Sequence, residues 1–324
     1  MSRLLYACGR AALLLACSMS AMAADRADDI RRKFDDPSAG VFIAAHRGCH
    51  NASPHQKLEA APENSLAALE HCVKLGVDMM ELDVRRSADG ALVVIHDATV
   101  DRTTDGKGKV SDLTLAQLQA LRLKQNMGAQ MSPDLTDERL PTLAQMLAAA
   151  RGRIMINLDI KDDDIYAQTI AEAAAQGMAR YVLVKSFVDR DAAGVGADDP
   201  SFAAVPYMPI VGAWTSKGGG ASAVQVVTRQ LAAQRRPAGV ELVFLPREQL
   251  APVRKLAASG GVRLWANTLT SVGVISVIGM GGDLEALRTS GRAWGDLIAA
   301  GVDTIQTDEP GPLLDFLKRE GIRY

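Results

Sequence analysis

The chain has 324 residues, of which 48% are hydrophobic and 23% are charged, and its formal net charge at pH 7 is −2. This composition is typical of a globular protein with one large domain or two small ones. The nearly balanced charge excludes the strongly basic surface with which proteins bind nucleic acid. Aromatic residues make up only 4% of the chain, so aliphatic side chains must supply most of the core.

The first 23 residues have the pattern of a secretory signal peptide. Arg3 and Arg10 are their only charged residues, residues 11–16 are apolar, and Ala21-Met22-Ala23 offers a cleavage site of small residues. A transmembrane anchor would need about 20 apolar residues, which this segment lacks. We therefore expect an exported protein, periplasmic or secreted, without a stable membrane span.

The four cysteines fall into two groups. Cys8 and Cys17 lie in the leader, and residues 14–17 (LLAC) resemble a bacterial lipoprotein cleavage box, so a lipid anchor on Cys17 is the alternative to soluble export. Cys49 and Cys72 would remain in an oxidising compartment, where a disulfide is permitted. One follows the first predicted strand and the other lies two turns into the next helix, roughly 12 Å away. We therefore expect free thiols.

After a predicted linker over residues 24–40, residues 41–324 alternate apolar strands with helix-length segments. A predicted helix opens at Pro62 and ends at Gly76, and another starts at Pro141. Eight strands are predicted, at residues 41–46, 79–84, 154–160, 182–187, 207–212, 241–245, 263–268 and 303–308. Eight such units predict an α/β fold of the (β/α)8 TIM-barrel type. An open doubly wound sheet is disfavoured because no G-x-G-x-x-G follows the first strand.

Residues 79–97 predict a hairpin that continues the second strand through the turn Ser87–Gly90. If the turn centres on Ala88 and Asp89, Glu81 lies opposite His96, with Asp83 two residues along the same face. Buried carboxylates are costly unless they are paired or bound to metal. The hairpin therefore predicts a functional site.

Residues suited to catalysis or ligand binding also lie at the carboxyl ends of several strands, at His46, Asp83, Asp159, Trp265 and Asp308. In a barrel these carboxyl ends share one mouth, where active sites are built. In an open sheet they would be strung out along one edge. The distribution of these residues therefore favours the barrel.

Several motifs recur in a fixed order and resemble the signature of the glycerophosphodiester phosphodiesterase family. They are His46-Arg47-Gly48, Pro62-Glu63-Asn64-Ser65, Glu81-Leu82-Asp83-Val84, Val93-Val94-Ile95-His96-Asp97, RTTDGKGKVSDLT at 102–114, PTL at 141–143, SF at 186–187 and GVDTIQTDEP at 301–310. The match extends from about Ala44 to Pro310, and the number of motifs in order makes it specific. The resemblance implies a metal-assisted phosphodiesterase on a TIM barrel.

The implied metal is one divalent cation, Mg²⁺ or Ca²⁺. Glu81 and Asp83 are hard oxygen ligands that suit either ion. The family takes a third carboxylate from the strand that reads NLDIK here, where its usual residue is glutamate. This chain has Asp159 instead, one methylene shorter. The departure implies a tighter site, a water-bridged ligand or a different third ligand.

The resemblance also implies that His46 and His96 act as an acid/base pair, because imidazole titrates near neutral pH. One histidine would activate the nucleophile, and the other would protonate the departing alcohol. Each lies beside a charged residue, Arg47 or Asp97, which favours catalysis over a structural role.

Four further residues are candidates for binding the substrate. Arg47 and Lys161 are suited to clamping phosphate oxygens, although Lys161 is equally compatible with a surface position at a strand end. The resemblance places Glu63 near the metal or the substrate hydroxyls. Trp265 would either wall the pocket or belong to the core.

Two loops at the predicted mouth are long, at residues 49–61 and 269–291, and residues 99–140 predict a small inserted region outside the barrel. The loop at 269–291 is a candidate lid or an apolar patch for a lipid chain. His50, His55 and His71 belong to no motif, and we expect them at the surface.

Three functions remain open. The first is a hydrolase that cleaves glycerophosphodiesters to glycerol 3-phosphate and an alcohol. The second is a lipid-directed phosphodiesterase with the same chemistry, which an exposed apolar rim near residues 269–291 would favour. The third is a non-catalytic barrel that binds a small molecule; it is disfavoured by the presence of both histidines, two carboxylates and Arg47.

Overall fold

The structure is a computed structural model that describes residues 26–127, 130–188, 200–212, 222–270 and 275–324. The strands in this part of the chain are β1 (Phe42–Ala45), β2 (Met79–Arg86), β3 (Leu92–Val94), β4 (Arg122–Met127), β5 (Gln130–Arg139), β6 (Met155–Ile160), β7 (Val182–Phe187), β8 (Tyr207–Gly212), β9 (Gly239–Val243), β10 (Arg263–Asn267) and β11 (Thr304–Thr307). The helices are α1 (helical over 26–35), α2 (Leu66–Leu75), α3 (Leu115–Ala120), α4 (Leu143–Ala150), α5 (Tyr166–Ala175), α6 (Ala223–Leu231), α7 (Arg247–Gly260), α8 (Asp283–Arg288), α9 (Arg292–Ala299) and α10 (Pro310–Arg319).

Eight parallel strands close into a barrel in the order β1, β2, β6, β7, β8, β9, β10 and β11. Closure is made by β1, which pairs with both β11 (Phe42 beside Thr304) and β2 (Ala44 beside Met79). These are the eight predicted strands, each within two residues of its predicted bounds. The predicted (β/α)8 barrel is confirmed.

The helices begin and end where their capping residues predict. The Ser65 side chain accepts from the backbone N–H of Ala68 at the start of α2, and Gly76 ends that helix in the left-handed conformation. Thr142 and Gln145 form a reciprocal capping box at the start of α4. These caps fix the residues at which α2 and α4 begin on the outside of the barrel.

The hairpin forms, but its predicted register was wrong by one residue. Val84 pairs with Val94 and Arg86 with Leu92, so Glu81 does not lie opposite His96. The turn holds one more residue than a centre at Ala88 and Asp89 allows, because the Ser87 N–H bonds the carbonyl of Ala91. A shift of one residue exchanges the two faces of a strand.

Residues 99–140 are an inserted region outside the barrel, as predicted. They contain α3 and the two-stranded sheet of β4 and β5. A separate apolar cluster supports them, made of Val93, Ile95, Val100, Val110, Leu118, Leu123 and Leu140. This region contributes Arg102 to the barrel mouth.

The opposite end of the barrel is closed by α1, within the segment predicted to be a linker. Ile30 and Phe34 of α1 pack against barrel residues that include Phe42 and Trp265. The buried Arg263 guanidinium donates to the carbonyl of Phe34 and so fastens this helix to β10. The predicted signal peptide at 1–23 and Cys17 lie outside the described residues. Among the described residues, no helix is both long and apolar enough to cross a bilayer.

Cys49 and Cys72 form a disulfide, so the prediction of free thiols was wrong. Their Cα atoms are 5.1 Å apart. The chain turns back directly after β1, where Gly48 adopts φ +87° and the Cys49 N–H donates to the carbonyl of Ala68. A Cβ on Gly48 would lie 2.8 Å from the Cβ of Ala68. Because only glycine allows this approach, the loop runs down beside α2 and reaches Cys72.

Candidate active site at the barrel mouth

The predicted metal ligands converge at the carboxyl ends of two adjacent strands. Glu81 and Asp83 lie on β2, and Asp159 is the parallel partner of Asp83 on β6. One oxygen from each of the three carboxylates lies within 4.8 Å of the others. Burial, together with the neighbouring charge of Asp83, raises the pKa of Glu81 above its ordinary value. The protein alone therefore does not fully compensate the negative charge of this cluster.

Positive and amide groups surround the same carboxylates. The backbone N–H of Arg47 donates to Glu81 (2.8 Å), and the Asn64 amide donates to Asp83 (2.7 Å). The Lys161 ammonium lies between Asp83 (2.8 Å) and Asp159 (2.9 Å). Although burial opposes it, Lys161 and Arg47 lower the pKa of Asp83. Asp83 is thus fixed as a carboxylate beside the more weakly compensated Glu81.

Two of these groups are held by unusual backbone conformations. Arg47 has φ +52° and Asn64 has φ +58°, both in the left-handed region. Such conformations cost of order 1–3 kcal/mol each in non-glycine residues and concentrate at functional sites. They aim the Arg47 N–H at Glu81 and the Asn64 amide at Asp83.

The residues at this position fit a divalent cation. Three buried or half-buried carboxylates form a hard oxygen donor set of the kind that Mg²⁺ and Ca²⁺ prefer. Burial and the charge of Asp83 raise the pKa of Glu81, and Lys185 and Lys161 only partly oppose that shift, so this carboxylate is incompletely compensated. Asp159 is close enough to belong to the cluster, but its Oδ2 also accepts from Lys161. The cluster is thus an acidic site whose donors suit a divalent cation.

Two charged residues inside the barrel were missed by the sequence analysis. The Lys185 ammonium lies 3.4 Å from the Glu241 carboxylate and 3.7 Å from that of Asp159, and both Lys185 and Glu241 are buried. Despite its burial, Glu241 and Asp159 raise the pKa of Lys185, which keeps it charged. The available signal was a lysine in the otherwise apolar strand VLVKSF. Lys185 therefore places a buried positive charge beside the Asp159 carboxylate.

His46 is held by a carboxylate from the last barrel strand. Its Nδ1 lies 2.7 Å from Oδ1 of Asp308, and the other oxygen of Asp308 accepts from the backbone N–H and the hydroxyl of Thr270. Burial lowers the pKa of His46, and Asp308 partly opposes that shift. In the neutral ring Nδ1 therefore carries the proton, and Nε2 is left as a proton acceptor.

His50 is not at the surface, and that prediction was wrong. Its Nε2 lies 3.2 Å from the same Oδ1 of Asp308, and its Nδ1 lies 3.1 Å from Oδ1 of Asn51. The contacts with Asp308 and Asn51 hold this part of the loop at the barrel mouth. His55, by contrast, is exposed and pairs with Asp315, as expected of a surface residue.

His96 forms a second pair of the same kind. Its Nδ1 lies 2.8 Å from Asp97, whose other oxygen accepts from Arg102. Arg102 also donates two hydrogen bonds to Glu63, which Arg47 contacts from the other side. Arg102 was not predicted as a site residue, although it begins the RTTDGKGK motif. Glu63 is thereby engaged by two guanidinium groups.

Trp265 does not line the mouth, so its assignment as a substrate-binding residue was wrong and the alternative, a core position, is correct. It is fully buried and belongs to the apolar cluster at the closed end of the barrel. The strand ends at Asn267, two residues later, and the Trp265 indole N–H donates to the Asn267 amide oxygen. Its position within the strand, rather than at its end, places it in the core.

Comparison with known proteins identifies the family of the first half of the barrel. Residues 46–198 match the model of the glycerophosphoryl diester phosphodiesterase family. Residues 207–317 match a second model, described as a domain of unknown function. The first match contains both histidine motifs and all three carboxylates of the acidic cluster.

Named relatives share that half of the chain. A glycerophosphodiester phosphodiesterase from Caldanaerobacter subterraneus subsp. tengcongensis is 34% identical over 153 residues, covering 45% of this chain and 58% of the relative. Human glycerophosphodiester phosphodiesterase 1 is 38% identical over 126 residues, covering 39% of this chain and 35% of the relative. The chain therefore spans about half of the bacterial relative and a third of the human one.

Solved structures match over most of the chain. A glycerophosphodiester phosphodiesterase from Agrobacterium tumefaciens superposes with a TM-score of 0.59 at 25% identity, covering 85% of this chain and 99% of that one. A glycerophosphoryl diester phosphodiesterase from Parabacteroides distasonis gives a TM-score of 0.66 at 22% identity, covering 91% and 92% of the two chains. The resemblance indicated by the motifs is confirmed over residues 46–198, which match the glycerophosphoryl diester phosphodiesterase family, and the chain shares its (β/α)8 barrel with solved structures of that name.

Proposed function

We propose that the protein is a metal-assisted glycerophosphodiester phosphodiesterase that releases glycerol 3-phosphate and an alcohol. The observation that carries this proposal is the convergence of an acidic cluster and two carboxylate-held histidines at one barrel mouth. A phosphodiesterase from Oleispira antarctica in complex with the product sn-glycerol-3-phosphate shares the fold, with a TM-score of 0.56 at 22% identity. That complex supports the choice of product.

Glu81, Asp83 and Asp159 are the residues that would hold the divalent cation. When bound, the cation supplies positive charge to the phosphodiester oxygens and so favours attack at phosphorus. Arg47 and Lys161 add positive charge at the same place, where they already neutralise Asp83. These two groups offset part of the negative charge of the cluster, and the divalent cation would compensate the remainder.

The two histidine–carboxylate pairs move the protons. Asp308 holds Nδ1 of His46, and Asp97 holds Nδ1 of His96. Each pair presents Nε2 as the nitrogen that exchanges a proton with the substrate. One pair accepts the proton of the nucleophile, and the other returns a proton to the leaving alkoxide, as hydrolysis of a phosphodiester requires.

We also propose that the protein acts after export. The leader pattern of residues 1–23 supports this location, and the disulfide between Cys49 and Cys72 adds independent support. Disulfides persist mainly in oxidising compartments such as the periplasm or the exterior of the cell. Expression of the full chain and analysis of the periplasm for protein cleaved after Ala23 test the proposal. Full-length protein retained in the cytosol would contradict it.

The activity is tested by following glycerol 3-phosphate release from glycerophosphocholine. The purified protein is assayed with EDTA and then with Mg²⁺ or Ca²⁺ restored. We expect release that stops with EDTA and returns with metal. Metal binding without turnover of glycerophosphodiesters with several head groups would exclude this substrate class. If the protein shows neither turnover nor metal binding, the non-catalytic alternative is favoured.

A lipid-directed phosphodiesterase is a second candidate, because an apolar rim lies at the mouth. Phe244, Ile275 and Ile278 are between 41% and 50% exposed. The backbone N–H of Phe244 donates to the carbonyl of Ile275, so these side chains share one part of the rim beside the end of β9. Lysophosphatidylcholine is the matched test substrate because it adds one acyl chain to the same head group. A higher kcat/KM for it, lowered by Ile278→Ser, would favour the lipid-directed function.

A further inference from the structure

A second group of potential metal ligands lies at the mouth, apart from the acidic cluster. The group comprises Nδ1 of His46, Nε2 of His50 and Oδ1 of Asp308, all of them buried and within 4.8 Å of one another. The two nitrogens lie 2.7 and 3.2 Å from the same carboxylate oxygen. A Zn²⁺ ion with ligand distances of about 2.0 to 2.2 Å spans donor atoms up to about 4.4 Å apart, and both of these separations fall within that span.

The surroundings of the three atoms are those of a built metal site. The ring nitrogen of His50 that faces away from Asp308 lies 3.1 Å from Oδ1 of Asn51. The Asn51 amide nitrogen donates to Glu309 Oε1 and to the Asp308 carbonyl, which fixes its oxygen toward His50. His50 therefore donates from Nδ1, and its Nε2 is the nitrogen directed at the cluster. Thr270 holds the remaining oxygen of Asp308. Such outer hydrogen bonds orient metal ligands in proteins.

The donor types separate this group from the acidic cluster. Two imidazoles and one carboxylate suit Zn²⁺ and similar transition metals, whereas three carboxylates suit Mg²⁺ or Ca²⁺. We propose that His46, His50 and Asp308 form a Zn²⁺ site that is distinct from the site of the catalytic cation. Three protein ligands leave a fourth position for water or for the substrate.

Occupation of this site would inhibit the enzyme, a consequence that rests on the proposed function. In the neutral His46 ring the proton is on Nδ1, and Nε2 is the acceptor. Binding of Zn²⁺ at Nδ1 displaces the proton from that nitrogen, and the single proton of the neutral ring then lies on Nε2. His46 then no longer accepts a proton from the substrate. Zn²⁺ would therefore act as a reversible inhibitor that competes with protons for the two histidines.

Metal binding is tested without substrate, so the result does not depend on activity. Tag-free protein is saturated with Mg²⁺ and titrated with Co²⁺ as a spectroscopic substitute for Zn²⁺, without thiol reductant so that Cys49 stays oxidised. We expect the intense visible absorption of a four-coordinate site with nitrogen ligands, which is displaced by Zn²⁺. His50→Gln should weaken binding at least about tenfold. His55→Gln, an exposed histidine on the same loop, is the matched control and should bind as the wild type does.

Two outcomes would overturn the proposal. Absence of the Co²⁺ spectrum from folded wild-type protein would show that Asp308 serves only as a hydrogen-bond acceptor for the histidines. An unchanged spectrum in both His50→Gln and Asp308→Asn, with melting curves showing folded protein, would place the metal elsewhere. If the metal binds as proposed but the protein hydrolyses no phosphodiester, the site stands and only the proposed function fails.

Discussion

His46 and Asp308 are separated by 262 positions in the chain, yet their side chains are 2.7 Å apart. The contact exists because β1 pairs with β11 and closes the barrel. The same closure places Asp308 beside His50. One carboxylate therefore governs the tautomer of His46 and anchors the loop that follows the first strand.

Replacement of Asp308 by asparagine should remove most of the activity while the protein remains folded. An amide cannot stabilise the imidazolium that forms when His46 takes up a proton. We expect kcat to fall by about 10²- to 10⁴-fold, the usual contribution of general acid–base catalysis, with a smaller change in KM. Asp315→Asn is the matched control because it alters the exposed pair with His55. Steady-state kinetics with equal losses in both variants would contradict the role of Asp308.

Gly48→Ala should be clearly more destabilising than Gly90→Ala. The two glycines have nearly equal φ angles, +87° and +86°. Each alanine therefore incurs the left-handed penalty of about 1–2 kcal/mol. At Gly48 the new Cβ would also lie 2.8 Å from the Cβ of Ala68, whereas nothing lies within 4 Å at Gly90. We expect a further loss of about 1–3 kcal/mol at Gly48, measured as the free energy of unfolding in urea. Equal losses would show that the loop moves away from α2 without cost.

Reduction of the disulfide should lower stability. The bond closes a loop with a sequence separation of 23 residues. A crosslink of this span lowers the entropy of the unfolded chain and so raises the free energy of unfolding by about 3 kcal/mol, which reduction should remove. Urea unfolding with and without reductant measures this difference. The double variant Cys49→Ser/Cys72→Ser should match the reduced protein and not respond to reductant. If reductant shifts that variant equally, the effect has another origin.

The stability of the protein should depend on pH through Asp283. Burial, reinforced by the nearby charge of Asp308, raises the pKa of Asp283 to about 8. In the unfolded chain it is about 3.9. Between about pH 3.9 and about pH 8, the two pKa values, the folded state therefore retains a proton that the unfolded state has released. In this window the free energy of unfolding falls as the pH rises, by up to about 1.4 kcal/mol per pH unit.

Asp283→Asn removes this titration. Its amide keeps an oxygen that accepts from the indole N–H of Trp294, as the carboxyl does at 2.9 Å. As the pH rises from about 5 to about 7, we expect the free energy of unfolding to fall in the wild type but not, through this group, in the variant, so that the difference between the two changes in favour of the variant. Urea unfolding at several pH values measures the difference. A constant difference over this range would mean that Asp283 is ionised in the folded protein.

The barrel itself was predictable because parallel strands buried on both faces read as apolar runs separated by helix-length segments. The acidic cluster was also predictable, since Asp83 and Asp159 lie near the carboxyl ends of neighbouring strands. The hairpin register was not, because one extra turn residue between Arg86 and Leu92 changes every pairing. The sequence has no local signal for that residue count.

The loop after β1 could not be predicted for a tertiary reason. Its path depends on the contact between Gly48 and Ala68, and this contact decides both the disulfide and the burial of His50. The positions of Lys185 and Glu241, by contrast, could have been predicted from the sequence. A charged residue within an apolar strand indicates a buried charge that needs a partner. Both residues lie inside their strands, whereas the residues predicted from the pattern are those at strand ends, where barrel active sites are built.

The central claim is that His46 and His96 act together in phosphodiester hydrolysis. It is tested most directly by glycerol 3-phosphate release from glycerophosphocholine by His46→Gln, His96→Gln and the surface control His55→Gln. The two site variants should each lose about 10²-fold or more in kcat, with unchanged melting temperatures, while His55→Gln keeps wild-type activity. Full activity in either site variant would contradict the two-histidine mechanism, and absence of release by the wild type would contradict the proposed function itself.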